Sequence, residues 1–136
     1  MIGIYMTIGE LASKADIPAS TIRYWERIGI LSKPARSGGQ RRYLPEAVHQ
    51  IAVLRLAQAC GFRLEEMRHL LHGFRPGVSV SRRWEEMVKH KQCEIDEQIK
   101  QLRGMQRLLN RVRQCKCADL TECGRIAVPL MRKTTK

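Results

Sequence analysis

From Val80 to Arg113 the chain contains no proline and a single glycine, Gly104. Within this stretch Trp84, Val88, Lys91, Ile95, Gln98, Leu102, Met105, Leu109 and Val112 recur in alternating steps of four and three. Such spacing is a heptad seam, and it predicts one continuous helix with an apolar edge along its length. Ile99 and Leu108 thicken the stripe, while Lys91 and Gln98 interrupt it. The helix would be about 50 Å long at ~1.5 Å per residue. The short segments left in a chain of 136 residues cannot cover so long an edge. The seam therefore predicts a homodimer through a two-helix coiled coil, with Trp84, Val88, Ile95, Leu102, Met105 and Leu109 as dimerisation residues. Cys93 takes an outer heptad position and is expected to be an exposed thiol without function. His69 and His90 are expected at the surface.

The charge narrows the class of partner. Twenty-five lysines and arginines against thirteen acids give a formal +12, spread from Arg23 to Lys136. A balance of this kind favours a polyanion. Aromatic residues make up only 5% of the chain, so the core must be mostly aliphatic. No apolar run approaches the roughly 20 residues that span a bilayer, so no membrane partner is expected. The opening MIGIYMTIGE has neither a basic start nor a small-residue cleavage site, and no secretory signal is expected. The expected compartment is the reducing cytoplasm, where clustered cysteines bind metal or sense redox state more often than they form structural disulfides. There are no paired catalytic carboxylates, no nucleophile motif and no phosphate-cradling glycine loop, so an enzyme is not expected.

The N-terminal third reads as a nucleic-acid reader. Thr7-Ile-Gly-Glu10 is a capping box, and Ile8, Leu11, Ala12 and Ala15 follow at helical spacing, predicting a helix over about Thr7–Lys14. Pro18 suits the first turn of a second helix, which Gly29 stops. Two short helices across a tight turn make a helix-turn-helix. The second carries Thr21, Arg23, Tyr24 and Arg27 as candidate DNA-binding residues, with Ile22 and Trp25 left to the core. A helix fits the major groove, and guanidinium groups bridge guanine acceptors or clamp phosphates. Next, Ser37-Gly38-Gly39-Gln40 predicts a hairpin that projects Arg41 and Arg42 beside that helix. Tyr43 would either support this wing or touch a phosphate. Pro45–Ala59 predicts a third helix with Ala47, Val48, Ile51, Leu54 and Leu56 inward, and Leu64–Leu71 a fourth. Cys60, at the end of the third, reads as a small buried thiol.

The series TIGELA, TIRYWERIGIL, GGQRRY and GFRLEEMRHLL, in order and at compatible spacing from Thr7 to Leu71, resembles the MerR family of bacterial transcription regulators. By motif position the resemblance carries Arg23 and Tyr24 to the recognition helix and Arg41, Arg42 and Tyr43 to the wing. Two departures concern helix caps: Leu44 and Arg63 stand where the family usually has a small hydroxyl or an acid. Met6 is a second candidate initiator, since residues 1–5 precede the usual family start. The resemblance implies a mainly α fold: a winged helix-turn-helix domain over 6–75, an antiparallel coiled-coil helix over 80–113, and a sensing loop with a basic tail over 114–136. It also implies an activator or repressor that binds double-stranded promoter DNA beside RNA polymerase and acts by distorting the duplex.

Directly after the long helix come Cys115, Cys117 and Cys123, a C-x-C-x5-C cluster holding three of the five cysteines. In the resemblance this is where metal-responsive and redox-responsive branches carry their sensor loop. Thiolates suit Cu(I), Zn(II), Cd(II) or Hg(II). The flanking Arg111, Arg113 and Lys116 favour the thiolate form. The spacing also resembles the last three of four cysteines in the iron–sulfur branch, whose first would fall at Val112, so a cluster would need Cys93 or another ligand. The expectation is a thiophilic ion first, direct thiol oxidation second and an iron–sulfur cluster third. The rival reading is a regulator of the same fold that senses an organic molecule, with incidental cysteines.

Overall fold

A computed structural model describes residues 5–134; residues 1–4 of the stretch read for a leader, and the last two of the basic tail, lie outside the described residues. The chain divides into two compact units, Met1–Lys91 and Gln92–Lys136.

In the first unit, α1 (Ile8–Ala15) starts as its capping box dictates. Thr7 Oγ1 accepts the Glu10 N–H at 3.1 Å, and Glu10 Oε2 accepts the Thr7 N–H at 3.2 Å. Asp16, at φ 55°, closes the helix in the left-handed region, where the short Asp side chain is better tolerated than most. After Pro18 comes α2 (Ala19–Arg27), whose Ile22 and Trp25 are buried. At its end Gly29 takes φ 80°, and the returning N–H groups of Ile30 and Leu31 both donate to the Trp25 carbonyl, at 2.9 and 3.1 Å.

The wing is β1 (Ala35–Ser37) and β2 (Gln40–Arg42), antiparallel, with Arg36 opposite Arg41. Gly38 and Gly39 turn it at φ 60° and 78°. A two-residue hairpin turn with both φ positive accepts glycine at little steric cost. Met6 and Tyr43 pair beyond the wing, each N–H donating to the other's carbonyl, at 2.8 and 2.9 Å. The segment before α1 is thereby stitched to the wing's root.

α3 (Glu46–Ala59) buries Ile51, Leu54 and Ala57. Two expectations for this region fail. Leu56 is 56% exposed, because a step of two residues turns a helical side chain about 200° from Leu54; Ala57 continues the inward face instead. Cys60 is exposed rather than buried. It sits at the helix end, where Gly61 at φ 85° turns the chain. In α4 (Leu64–His72) the missing acid cap is compensated from within, since Glu66 Oε1 accepts the Arg63 N–H at 2.9 Å. The core beneath these helices is aliphatic around one large ring: Leu11, Ile22, Trp25, Ile30, Ile51, Leu54, Met67 and Leu70 are all but solvent-free.

α5 (Val80–Arg113) is one continuous helix with the expected bounds. Its first turns belong to the first unit. Trp84 meets Phe62 edge-on with ring centroids 5.8 Å apart, Met87 is buried, and Val88 packs against the same core. Arg83 clasps the end of α4 through Nη1, which donates to the Leu70 carbonyl at 3.0 Å. Lys91 is buried, its Nζ 2.8 Å from Glu66 Oε1 and 5.1 Å from the centre of the Phe62 ring. Trp84 and Val88, expected at the dimer seam, are thus engaged within their own chain. A heptad stripe has the same period whichever surface covers it, and here α4 and the α3–α4 turn are near enough to do so.

In the second unit α5 continues from Gln92, and α6 (Leu120–Thr134) follows. The expected loop and tail over 114–136 is therefore mostly helix. Asp119 Oδ1 accepts the Glu122 N–H at 2.8 Å, and Glu122 Oε2 accepts the Ala118 N–H at 3.1 Å. Asp119-Leu-Thr-Glu122 is a second capping motif of the kind that starts α1, and Gly124 and Pro129 lie further along the same helix.

Burial alone would raise the Glu66 carboxyl, but hydrogen bonds from Lys91 and the Arg63 N–H outweigh it and hold the group below its ordinary 4.5. A carboxylate with a depressed folded value stabilises the fold above its unfolded value, and that contribution disappears as pH falls through the folded one. Glu66→Gln should cost about 2 kcal/mol at pH 7, since the buried Lys91 ammonium loses the carboxylate 2.8 Å from it. It should also flatten the stability profile below pH 4.5. Denaturant unfolding across the acid range checks both; an unchanged acid limb would show that the pair does not contribute.

Candidate nucleic-acid interface and metal centre

In the first unit, α2 presents Arg23, Tyr24 and Arg27 outward, with the Arg27 guanidinium 5.3 Å from the centre of the Tyr24 ring. Thr21 is half-buried at the same helix. Packing of Ile22 and Trp25 on the core fixes the rotation of α2, so the polar side must face solvent. Among the wing candidates, Arg42 is half-buried and Arg41 points back: its Nε lies 3.4 Å from Glu26 Oε2. Tyr43 is buried and its hydroxyl donates to Glu26 Oε1. Of the two roles foreseen for Tyr43, the geometry is that of support. Burial first, and the Glu26 hydrogen bond second, push its phenol well above the usual 10, so it remains a donor at any ordinary pH.

Glu26 was not singled out in the sequence. It is a buried carboxylate on α2 whose two oxygens hold Tyr43 and Arg41, so the wing is bolted to α2 through one side chain. Arg36 was also passed over. It is exposed on β1 opposite Arg41, and its Nη1 donates to the Gly39 carbonyl at 3.4 Å. Together with Tyr5, Thr7 and Arg42 it borders an open depression of about 630 Å³. The signal for Arg36 was in the hairpin itself: once Gly38-Gly39 is the turn, the register puts an arginine opposite Arg41.

In the second unit the thiols of Cys115, Cys117 and Cys123 come together, with all three sulfur atoms within 4.8 Å of one another. Cys115 and Cys117 follow the end of α5, and Cys123 sits in the first turn of α6. Three thiolates about 2.3 Å from one ion lie roughly 3.8–4.0 Å apart in tetrahedral or trigonal geometry. The cluster therefore needs only a small inward movement to close on an ion, and an all-sulfur donor set suits a soft or borderline one. Cys93 is exposed and lies outside this group, so among the described residues no fourth cysteine completes an iron–sulfur ligand set. Hydrogen bonds from the Cys117 thiol and from its N–H, the latter 3.3 Å from Cys115 Sγ, hold the Cys115 thiol below its ordinary value. Cys117, whose proton serves that bond, is pushed up to about 12.

Along α5 after Lys91, the remaining seam residues are uncovered: Ile95, Leu102, Met105 and Leu109 all stand among the exposed large apolar side chains, with Ile99 and Val112 beside them. No helix among the described residues is long and apolar enough to cross a membrane.

Comparison with known proteins bears on both regions. The family model described as MerR HTH family regulatory protein matches residues 6–73, and the one described as MerR, DNA binding matches residues 48–112. The HTH-type transcriptional regulator HmrR of Rhizobium leguminosarum bv. viciae is 34% identical over 120 residues, covering 87% of this chain and 92% of that protein. The mercuric resistance operon regulatory protein of Bacillus cereus is 32% identical over 130 residues, 93% of this chain and 97% of the relative. The crystal structure of the transcription regulator PbrR691 from Ralstonia metallidurans CH34, in complex with lead(II), matches at 31% identity and a TM-score of 0.72, covering 84% of this chain and 90% of that one.

Two outcomes follow from the geometry. Glu26→Ala should release the wing while leaving helix content intact. Affinity for duplex DNA should fall about tenfold, with a salt dependence shallower by roughly one to two phosphate contacts; anisotropy titrations at several salt concentrations read both, and an unaltered slope would refute the bolt. At the cluster, an ion must displace the proton of Cys117, and a protonated thiol does not ligate. Apparent metal affinity should therefore rise as pH goes from about 7 to about 9, measured by competition with a chelator of known pH dependence.

Proposed function

The chain belongs to the MerR family of regulatory proteins, which are DNA-binding transcription regulators and not enzymes, and on that premise we propose that it is a cytoplasmic, metal-switched regulator of a promoter. The observation that carries the metal reading is the meeting of three thiols within 4.8 Å in a chain with a DNA-reading unit. Cys115, Cys117 and Cys123 would hold one thiophilic ion, with Cu(I), Zn(II), Cd(II) and Hg(II) as the candidate inducers. That a relative regulates a mercuric resistance operon, and another was solved with lead(II), supports an ion of this class.

The DNA-reading domain would span 6–75, with Thr21, Arg23, Tyr24, Arg27 and Arg42 at the duplex and Arg41 and Tyr43 holding the wing in place. Two copies would join through the uncovered part of the 80–113 helix, where Ile95, Leu102, Met105 and Leu109 face solvent in the single chain. A two-fold dimer sets its paired recognition helices on half-sites of one promoter, and phosphate contacts fix the register. Control would then work through DNA shape: the dimer stays bound beside RNA polymerase, and its signal state changes how the duplex is bent and twisted. For that, the ion must bind one dimer geometry better than the other, since equal affinity would shift nothing.

Direct thiol oxidation is the second reading, because sulfurs this close also reach disulfide distance with little movement. Protein purified without oxygen should take up about one thiophilic ion per chain by elemental analysis. The triple Cys115→Ser, Cys117→Ser, Cys123→Ser variant should take up none, keep its DNA affinity and lose metal-dependent transcription from its own promoter. If that variant still responds to metal, the cluster is not the switch; if the native protein responds to peroxide and not to metal, oxidation is the signal.

A further inference from the structure

The depression at the root of the wing is shaped by strand geometry. Met6 pairs with Tyr43 and turns its side chain into the core. Neighbours along an extended segment alternate sides, so Tyr5 and Thr7 face outward, and both border the depression of about 630 Å³. Arg42 and Ser37 border it from the two strands of the wing, with Arg36 beside them. Two features of this face suit an anion that carries an organic group. Arg42 is half-buried, and its guanidinium has neither a hydrogen bond nor an ion pair to any described residue, whereas Arg41 is already turned to Glu26. Tyr5 is 46% exposed and presents an apolar ring that ends in a hydroxyl. Glu10 also borders the depression and its charge opposes an anion, with Oε2 held by the Thr7 N–H at 3.2 Å. Two guanidinium groups against one carboxylate still leave the border net positive. The family model begins at residue 6 and leaves Tyr5 outside it.

We propose that Tyr5 is a DNA-contact residue: its phenol donates to a backbone phosphate whose charge is met by Arg42, and its ring covers the attached deoxyribose. The proposal rests on the DNA-reading assignment of α2 and the wing, and adds a contact from the segment ahead of α1. A phosphodiester matches both halves of the face, since each phosphate carries a sugar on either side. Tyrosine suits such a boundary, with an apolar body and a polar tip. Contacts to the backbone fix register without reading bases, so Tyr5 adds affinity for any duplex. It differs from an arginine in one measurable respect. A cation that neutralises a phosphate releases counterions and steepens the salt dependence, whereas a neutral hydroxyl does not.

The test titrates full-length protein against a fluorescein-labelled, random-sequence duplex by anisotropy at several salt concentrations. It compares the native chain with Tyr5→Phe, Arg42→Gln and the double variant. Tyr5→Phe removes only a hydroxyl from an exposed side chain and leaves the core untouched. A hydrogen bond to an exposed phosphate is worth about a factor of three in binding, so two chains on one duplex should lose about tenfold together. That loss should be the same at every salt concentration. Arg42→Gln should both weaken binding and make the logarithmic salt slope shallower by about two, one phosphate per chain. Because the two side chains hold the same phosphate, the double variant should lose clearly less than the product of the single losses. Unchanged affinity in Tyr5→Phe, with native binding intact, overturns the proposal and leaves the DNA reading standing. A shallower slope in Tyr5→Phe also overturns it, since the hydroxyl would then act by placing a cation, and so do single losses that simply multiply. A native protein that fails to bind the duplex at low salt overturns both this inference and the DNA reading beneath it.

Discussion

One apolar stripe on one helix serves two different surfaces, and the change comes at a buried ion pair. Up to Lys91, α5 spends its stripe inside its own chain: Trp84 on Phe62, Met87 and Val88 on the core, Lys91 on Glu66. Beyond it, Ile95, Ile99, Leu102, Met105 and Leu109 are exposed in the single chain. A lysine under a packed surface costs several kcal/mol unless its charge is met. Glu66 meets it at 2.8 Å, and the same carboxylate also stands in for the missing N-cap of α4. One acid thus fixes both where α4 starts and where α5 stops packing inward.

A similar economy governs α2 and the wing. A two-stranded hairpin is marginal by itself, and this one has three residues per strand with a diglycine turn. What makes it a fixed element is its root. Tyr43 pairs with Met6 through the main chain and with Glu26 through its hydroxyl, and Arg41 closes on the other oxygen of the same carboxylate. Because Glu26 belongs to α2, the wing and α2 share one frame. Electrostatics alone would scatter so many cations. A buried acid, not the net charge, sets where Arg41 points.

Much of this was legible in the sequence. The bounds of α5, the helix-turn-helix, the wing and the thiol cluster all followed from periodicity, capping and spacing, because each depends on residues close together in the chain. What escaped depended on distant neighbours or on a signal left unused. Trp84 and Val88 sit on the heptad seam whether a partner or their own α4 covers them, and no local pattern distinguishes the two. Glu26 looks like a solvated helix acid until Tyr43 and Arg41 are folded onto it. Leu56 and Cys60 were placed by residue type where helical phase and a turn decided otherwise. The start of α6 was readable, since Asp119 and Glu122 repeat the logic of Thr7 and Glu10, but the cysteines beside it drew the reading toward a loop.

That last helix has its own bearing on how the cluster could switch. α6 contains Gly124 and Pro129, which together cost an isolated helix about 4 kcal/mol relative to alanine, and it leaves Leu120, Ile126, Val128 and Met131 exposed. Its secure feature is its start, where Asp119 caps it and Cys123 lies in the first turn. An ion shared by Cys123 and the two cysteines after α5 would tie that turn to the preceding helix, adding a restraint where the sequence supplies few. Ligation would then act on a helix that carries Gly124 and Pro129, where a restraint on the first turn bears on whether α6 is held or released. A cluster placed in the middle of a well-packed helix would hold an ion equally well and change nothing around it. Here the sulfur ligands meet at the join between a long, stable helix and a weak one, which is where binding can be converted into a difference of shape.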